Sequence, residues 1–326
     1  MTASTLPCII LAICALLGSR AAWAQQAERV ARIAFLSTTS SPDSPTTAAF
    51  RQGLQELGYR EGQNIIIEWR WGAGSTGRFP EFAAEVVKSN VDVIVAANDA
   101  AGRAAQQATK RIPIVSIFSD PVASGLVVTL ARPGGNITGL TMQGSDLTAK
   151  RLQLLKEAVP KLSRVALLVD TNSQSYRQDV KETEAAARTL GMRLRVHEVS
   201  NPSELNSSFA TITKERVGAV FQVGGTMLYA NRAEVAELAL KHRLPMMCGV
   251  RENVDAGCLM SYSANLTDRF RRAAHIVDEI LKGAKPADLP VEQPTTFELV
   301  INLKTAKALD LKIPVSVSQR ADRLIE

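Results

Sequence analysis

Serine, threonine, asparagine and aspartate recur in this 326-residue chain just after short apolar runs. Thr38 and Ser41 follow ARIAFLS, Asn98 and Asp99 follow VDVIVAA, and Ser119 and Asp120 follow IPIVSIF. In the second half Asn172 and Tyr176 follow RVALLVD, Gly225 and Thr226 follow AVFQVG, and Tyr262 lies in LMSYS. Such groups hold a small molecule rather than transform it. Hydroxyls, amides and the free N–H groups of helix N-termini receive a carboxylate through charge-assisted hydrogen bonds. An ammonium group needs an acid, and Asp120 is the preferred partner, with Asp99 and Asp170 as the other choices. Each also has a plainer reading, because Asp120, Asn98 and Asp99 all stand where helix N-caps stand.

The other chemistries lack their residues. There is no GxSxG, no HExxH, and no pair of carboxylates beside a histidine, so an enzyme is not expected. No CxxC or Cys/His ligand spacing points to a metal, and no cofactor is expected. Gly72–Gly77 reads GAGSTG and matches GxGxxG literally. It follows the second strand of its half rather than the first, and the next helix starts near Pro80, so it reads as a surface loop rather than a dinucleotide turn. His197 shares one strand face with Arg193 and Arg195, and the expectation is a solvated face.

Strands and helices alternate to position these loops. Short branched runs such as Ile112–Phe118 read as strands buried on both faces. Helices are expected between them, including Val122–Leu130 behind Asp120-Pro121. That order implies right-handed crossovers and parallel sheets, with ligands beyond the carboxyl ends of the strands. The pattern also occurs twice. VARIAFLSTTS (30–40) matches SRVALLVDTNS (163–173), and KSNVDVIVAAN (88–98) matches KERVGAVFQVG (214–224). RIPIVSIF (111–118) matches RLPMMCGV (243–250), and PGGNITGLTM (133–142) matches DAGCLMSYSA (255–264). These offsets fall between 122 and 133 residues, so the fold class is α/β with two similar doubly wound lobes.

Composition agrees: 46% of residues are hydrophobic and 21% charged, as in an ordinary globular α/β protein. The net charge of +6 is spread along the chain, which excludes a concentrated nucleic-acid footprint. Pro7–Gly18 is apolar but short for a bilayer span, and Ala22-Trp23-Ala24 has the small-x-small form of a signal peptidase site. A signal peptide over 1–24, cleaved near Ala24, is therefore expected, although Met1–Leu6 carries no basic residue; a retained anchor is the alternative. Removing 1–24 leaves Cys248 and Cys258, which either pair in an oxidising compartment or remain two buried thiols.

Longer phrases carry a resemblance. AAFRQGLQELGYREGQNIIIEWRW, DPVASGLVVTLARPGGNITGLT, AKRLQLLKEAVP and ADRLIE occur here, with the long run from MSYSANLTDRFRRAAHIVDEILKG to KTAKALDLKIP. Across 29–326 the chain resembles the substrate-binding proteins of ABC transporters, in the tryptophan/tyrosine-uptake-like subgroup. The resemblance implies a type I periplasmic-binding-protein-like fold with three crossings between lobes. Lobe one would comprise 28–142 plus 265–294, and lobe two 143–264 plus 297–326. It implies a periplasmic protein that binds an amino acid or related small carboxylate and delivers it to an ABC permease. The ligand residues would be Thr38, Ser41, Asn98, Asp120, Asn172, Tyr176, Gly225, Thr226 and Tyr262. The partners would be a small molecule and a permease, without nucleic acid, and the protein a monomer. A sensor of the same fold signalling to a membrane receptor is the alternative function.

Overall fold

The computed structural model describes residues 30–39, 42–144 and 146–326. The first half builds β1 (Ala31–Ser37), α1 (Pro45–Glu56), β2 (Ile65–Trp71), α2 (Phe79–Lys88), β3 (Val93–Ala96), α3 (Asp99–Ala108), β4 (Ile114–Phe118) and β5 (Ile137–Thr141). The next stretch builds α4 (Thr148–Ala158), β6 (Arg164–Asp170), α5 (Tyr176–Thr189), β7 (Arg193–Val199), α6 (Leu205–Lys214), β8 (Ala219–Gln222), α7 (Thr226–Ala230) and α8 (Arg232–Lys241). The chain finishes with β9 (Met246–Cys248), α9 (Arg251–Asp255), β10 (Met260–Ser263), α10 (Leu266–Leu281), β11 (Glu298–Asn302), α11 (Leu303–Ala308), α12 (Val315–Ser318) and β12 (Arg323–Ile325).

The internal repeat becomes two sheets of the same order. One runs β2-β1-β3-β4-β5, and the other runs β12-β11-β10-β9-β8-β6-β7. Every pairing in the first sheet is parallel. In the second, β10 and β11 are antiparallel, because the last two strands arrive after the repeat has ended and simply extend its edge.

Alternation of side chains packs each sheet between helices. On the first sheet Ile33, Phe35, Val93 and Val95 meet Phe50 and Leu54 of α1 and Phe270, Ala273 and Val277 of α10. The intervening Ala34, Leu36, Ile94 and Ala96 meet Phe79, Phe82 and Val86 of α2 and Ala101 and Ala105 of α3 on the other face. Both faces are therefore dry, as the unbroken apolar runs require. Helix α10 thus returns to the first lobe after β10 has completed the second.

The chain crosses between lobes after β5, after β10, and between Glu292 and β11. The crossings lie side by side: Thr141 N–H donates to Glu292 O at 2.9 Å, Gln143 to Gln293 at 3.0 Å, and Ser263 pairs with Glu298. Arg151 of α4, 4% exposed, ties this region together. Its guanidinium donates to Tyr262 O at 2.7 Å, Gly144 O at 3.0 Å and Gly249 O at 3.1 Å.

Two local expectations are corrected, and one that was left open is decided. Val122–Leu130 is a chain of turns rather than a helix. Gly125 takes φ +67°, Leu126 and Val127 N–H both reach back to Pro121 O, and the β-branched run Val127-Val128-Thr129 does not restart a helix. His197 is buried, not solvated, with Nε2 3.1 Å from Glu215 Oε2, because α6 covers the end of β7. Of the two readings left open for the cysteines, the structure has the disulfide: Cys248 and Cys258 are bonded, with their Cα atoms 6.7 Å apart.

Candidate functional site

Carboxyl ends of the strands in both lobes converge on one cleft with about 1420 Å³ of empty space, its open mouth included. Lobe one contributes Thr38, Asn98, Asp99, Phe118, Ser119 and Met142, and α10 adds Leu266 and Phe270. Lobe two faces them with Asp170, Asn172, Asp179, Gln222, Gly225, Thr226, Tyr229 and Asn253. The lobes touch at the rim. A Cβ on Gly224 would lie 3.5 Å from Ser119 Oγ, and one on Gly74 would lie 3.7 Å from Ala230 Cβ. The GAGSTG loop is therefore part of the cleft, where Thr76 lines it, and not merely surface.

Of the residues expected from the sequence, Thr38, Asn98, Asn172, Gly225 and Thr226 line the cleft. Asn98 Oδ1 also caps α3, accepting Ala101 N–H at 2.9 Å. Asn172 Nδ2 donates to Asp170 Oδ1 at 3.0 Å and Ser200 O at 2.6 Å, which fixes its loop. Gly225 has φ +114° and a Cβ there would stand 2.5 Å from Asp170 Cβ. Only glycine allows that approach, which lets Asp170 Oδ2 accept Met227 N–H at 3.0 Å.

Three expected residues are placed elsewhere, and Ser41 lies outside the described residues. Asp120 Oδ1 accepts Ala123 N–H at 3.0 Å in a capped turn, and its side chain is not in the cleft wall. Tyr176 packs on the second lobe's core with Arg177 over its ring. Tyr262 packs its ring at a tilt against Phe297 with centroids 5.9 Å apart, is not in the cleft wall, and gives its carbonyl to Arg151. Strand-end position alone places a residue near the cleft, but the strand pleat and the helix turn decide which way it points.

Asp179 and Arg151 were not among the expected residues. Their signal was present: each sits on the buried stripe of its helix, Arg151 with Leu152, Leu155 and Ala158, and Asp179 with Thr183 and Ala187. A charge on an apolar stripe is the readable clue. Burial pushes the Asp179 carboxyl up to about 6, opposed by the Ser175 Oγ bond at 2.9 Å. Burial likewise pushes Asp99 up to about 7, opposed by the Ser119 N–H, which lies 3.1 and 3.3 Å from its two oxygens. The nearby charges of Asp120 and Asp179 raise it further. Desolvation pushes the Arg151 guanidinium down to about 10. Gln222 Oε1 and Asn253 Nδ2 are buried in the cleft wall without a partner among the described residues. This arrangement can enclose a small molecule that has both polar and aromatic parts.

Among the described residues no group of three His, Cys, Asp or Glu side chains is placed to hold a metal ion. None of their helices is long and apolar enough to cross a membrane.

Known proteins share this architecture. A "Tyrosine-binding protein" of Clostridioides difficile (strain R20291) is 26% identical over 266 residues, covering 81% of this chain and 76% of that protein. The solved ABC domain from Streptococcus pneumonia in complex with L-Trp is 26% identical, with TM-score 0.84 over 90% of this chain and 99% of that one. A ligand-free, open substrate-binding protein from Clostridium difficile, 23% identical, shares the fold at TM-score 0.65 over 91% of this chain and 99% of that one. The family model for ABC transporter substrate binding proteins matches residues 30–325. With two parallel-sheet lobes closed over a polar and aromatic cleft, the chain belongs to the ABC transporter substrate-binding protein family.

Proposed function

We propose that this substrate-binding protein captures an aromatic L-amino acid between its lobes and presents the closed complex to an ABC permease. The observation that carries the reading is the composition of the cleft wall. Tyr229 offers a half-buried ring with Phe118 and Phe270 buried behind the wall, while Thr38, Asn98, Thr226 and Asn253 supply polar groups from both lobes. Aromatic ligands gain most of their affinity from such apolar walls, and a few placed polar groups set orientation. The relatives named for tyrosine and for L-Trp support the same class.

The lobes 28–142 plus 265–294 and 143–264 plus 297–326 would act as two bodies closing about the three crossings. In this reading the protein is exported, cleaved near Ala24, monomeric and without nucleic-acid partners. The test is a thermal-shift screen of the mature chain against all L-amino acids. At a hundred times its Kd a true ligand adds roughly 2.7 kcal/mol of stability. Stabilisation by tyrosine or tryptophan is expected; a response confined to non-aromatic solutes would overturn the aromatic assignment. N-terminal sequencing of exported protein that finds residues 1–24 still attached would overturn the cleavage.

A further inference from the structure

The cleft is acidic. Asp99 lines it from the first turn of α3 in lobe one, and Asp179 from the first turn of α5 in lobe two. The cation that shares the wall, Arg151, directs Nε, Nη1 and Nη2 at three backbone carbonyls. No Asp or Glu oxygen lies within ion-pairing distance of it among the described residues. The Asp179 carboxylate receives one hydrogen bond, from Ser175, and that of Asp99 receives only the Ser119 N–H, among the described residues. Both carboxylates are desolvated on opposite walls of one cleft, Arg103 and Arg151 act on them only from beyond ion-pairing distance among the described residues, and a buried charge without a close partner is costly. An independent sign of a missing occupant is the pair Gln222 and Asn253. They are 3% and 1% exposed, belong to the same cleft, and each has a buried amide atom with no partner among the described residues.

We propose that Asp99 and Asp179 form an ammonium subsite that bridges the two lobes, so the cleft selects solutes carrying a primary amine. The proposal rests on the amino-acid reading and specifies which end of the ligand each lobe grips. One cation between two carboxylates draws the lobes together, and the Gln222 and Asn253 amides meet the ligand's remaining polar groups. Closure is then driven by the amine, while the half-buried Tyr229 ring, backed by the buried Phe118 and Phe270, sets side-chain size.

The surrounding charges give the subsite a pH dependence. Asp99 is faced by Asp120, Asp179 and Arg103, and Asp179 by Glu182, Asp120 and Arg151. With the two carboxyls pushed up to about 7 and about 6, acid neutralises the subsite while an aliphatic ammonium stays charged. Amine binding therefore weakens as pH falls from 8 to 5, by roughly tenfold per unit once a required carboxylate is protonated. A solute without an amine escapes this loss.

Calorimetry on the mature protein tests the subsite with L-tyrosine and L-tryptophan, their decarboxylated amines tyramine and tryptamine, and their deaminated acids 3-(4-hydroxyphenyl)propionate and indole-3-propionate. Loss of the amine is expected to weaken binding roughly 10- to 100-fold, the range for a hydrogen bond to a charged group. Asp99→Asn and Asp179→Asn should each weaken the amino acids and leave the deaminated acids nearly unchanged. The ligand series on the unaltered protein stands even where a variant fails to fold. Equal affinity for an amino acid and its deaminated acid overturns the subsite and leaves the amino-acid reading intact. Tight tyramine or tryptamine binding with no binding of either amino acid overturns that reading and keeps the subsite. Failure of both amino acids and both amines overturns both.

Discussion

Arg151→Met removes a side chain that holds three segments at the lobe junction. In the native protein its guanidinium donates to Tyr262 O, Gly144 O and Gly249 O at 2.7–3.1 Å. Hydrogen bonds to a charged group contribute about 1.5–3 kcal/mol each, so the gross loss is about 4.5–9 kcal/mol. Against this stands the cost of burying a cation, visible in the guanidinium being pushed down to about 10. Methionine fills the volume and removes that cost, but it leaves three carbonyls without donors. The balance expected for breaking a buried charged network is a loss of about 3–5 kcal/mol. Urea unfolding followed by circular dichroism and tryptophan fluorescence gives the number, with an unchanged m-value showing that two-state comparison is valid. Arg151→Lys should fall between the two proteins, since a single ammonium cannot reach three carbonyls spread around a planar fork. An Arg151→Met protein within about 1 kcal/mol of the parent would refute the junction role.

Removing the disulfide by Cys248→Ala with Cys258→Ala releases a loop that carries Gly249, Val250 and Asn253 into the cleft wall. For a separation of 10 residues the chain-entropy cost is about 2.7 kcal/mol, read as a lower urea midpoint; an unchanged midpoint would show that the loop is held by packing alone. Gly225→Ala forces a Cβ against Asp170 at a φ of +114°, so it should cost about 1–3 kcal/mol and weaken ligand binding; a variant with native melting temperature and affinity would contradict the close approach. The ligand-free protein should melt higher at pH 5.5 than at pH 7.5. Asp99 and Asp179 have folded-state pKa values raised above those of the unfolded chain, so between about 4 and 7 the folded state binds more protons and stability rises as pH falls. The buried Glu252 and the half-buried Glu298 are raised too, by desolvation, and act in the same direction. Comparison with Asp99→Asn isolates one contribution: an equal rise in that variant would exclude Asp99 as a source.

Local pattern alone determined a large part of this protein. Branched apolar runs such as Ile114–Phe118 point to strands buried on both faces, because their length and β-branched content between turns favour a strand over a helix. The recurrence of ARIAFLS as RVALLVD, and of VDVIVAA as VGAVFQV, was enough to foresee two lobes of like order, since equivalent strings meet equivalent neighbours. Strand-end loops could be assigned to a cleft for the same reason, and Thr38, Asn98, Asn172, Gly225 and Thr226 do line it. Direction was not legible. Whether Asp99 or Asp120 enters the cleft depends on the turn that follows each, and Gly125 breaks the helix that would have presented Asp120. Arg151 and Asp179 could be seen as charges on apolar stripes, but two of the three carbonyls around Arg151, Gly249 O and Tyr262 O, lie 98 and 111 residues along the chain, and Asp99 faces Asp179 from the other lobe. Only tertiary structure brings Tyr262 O, Gly144 O and Gly249 O around one guanidinium, and only the meeting of two lobes desolvates two carboxylates on facing walls. Those are properties of surfaces that chain-local propensities do not encode, because burial and charge are shared between residues that meet only after the chain has crossed between lobes three times.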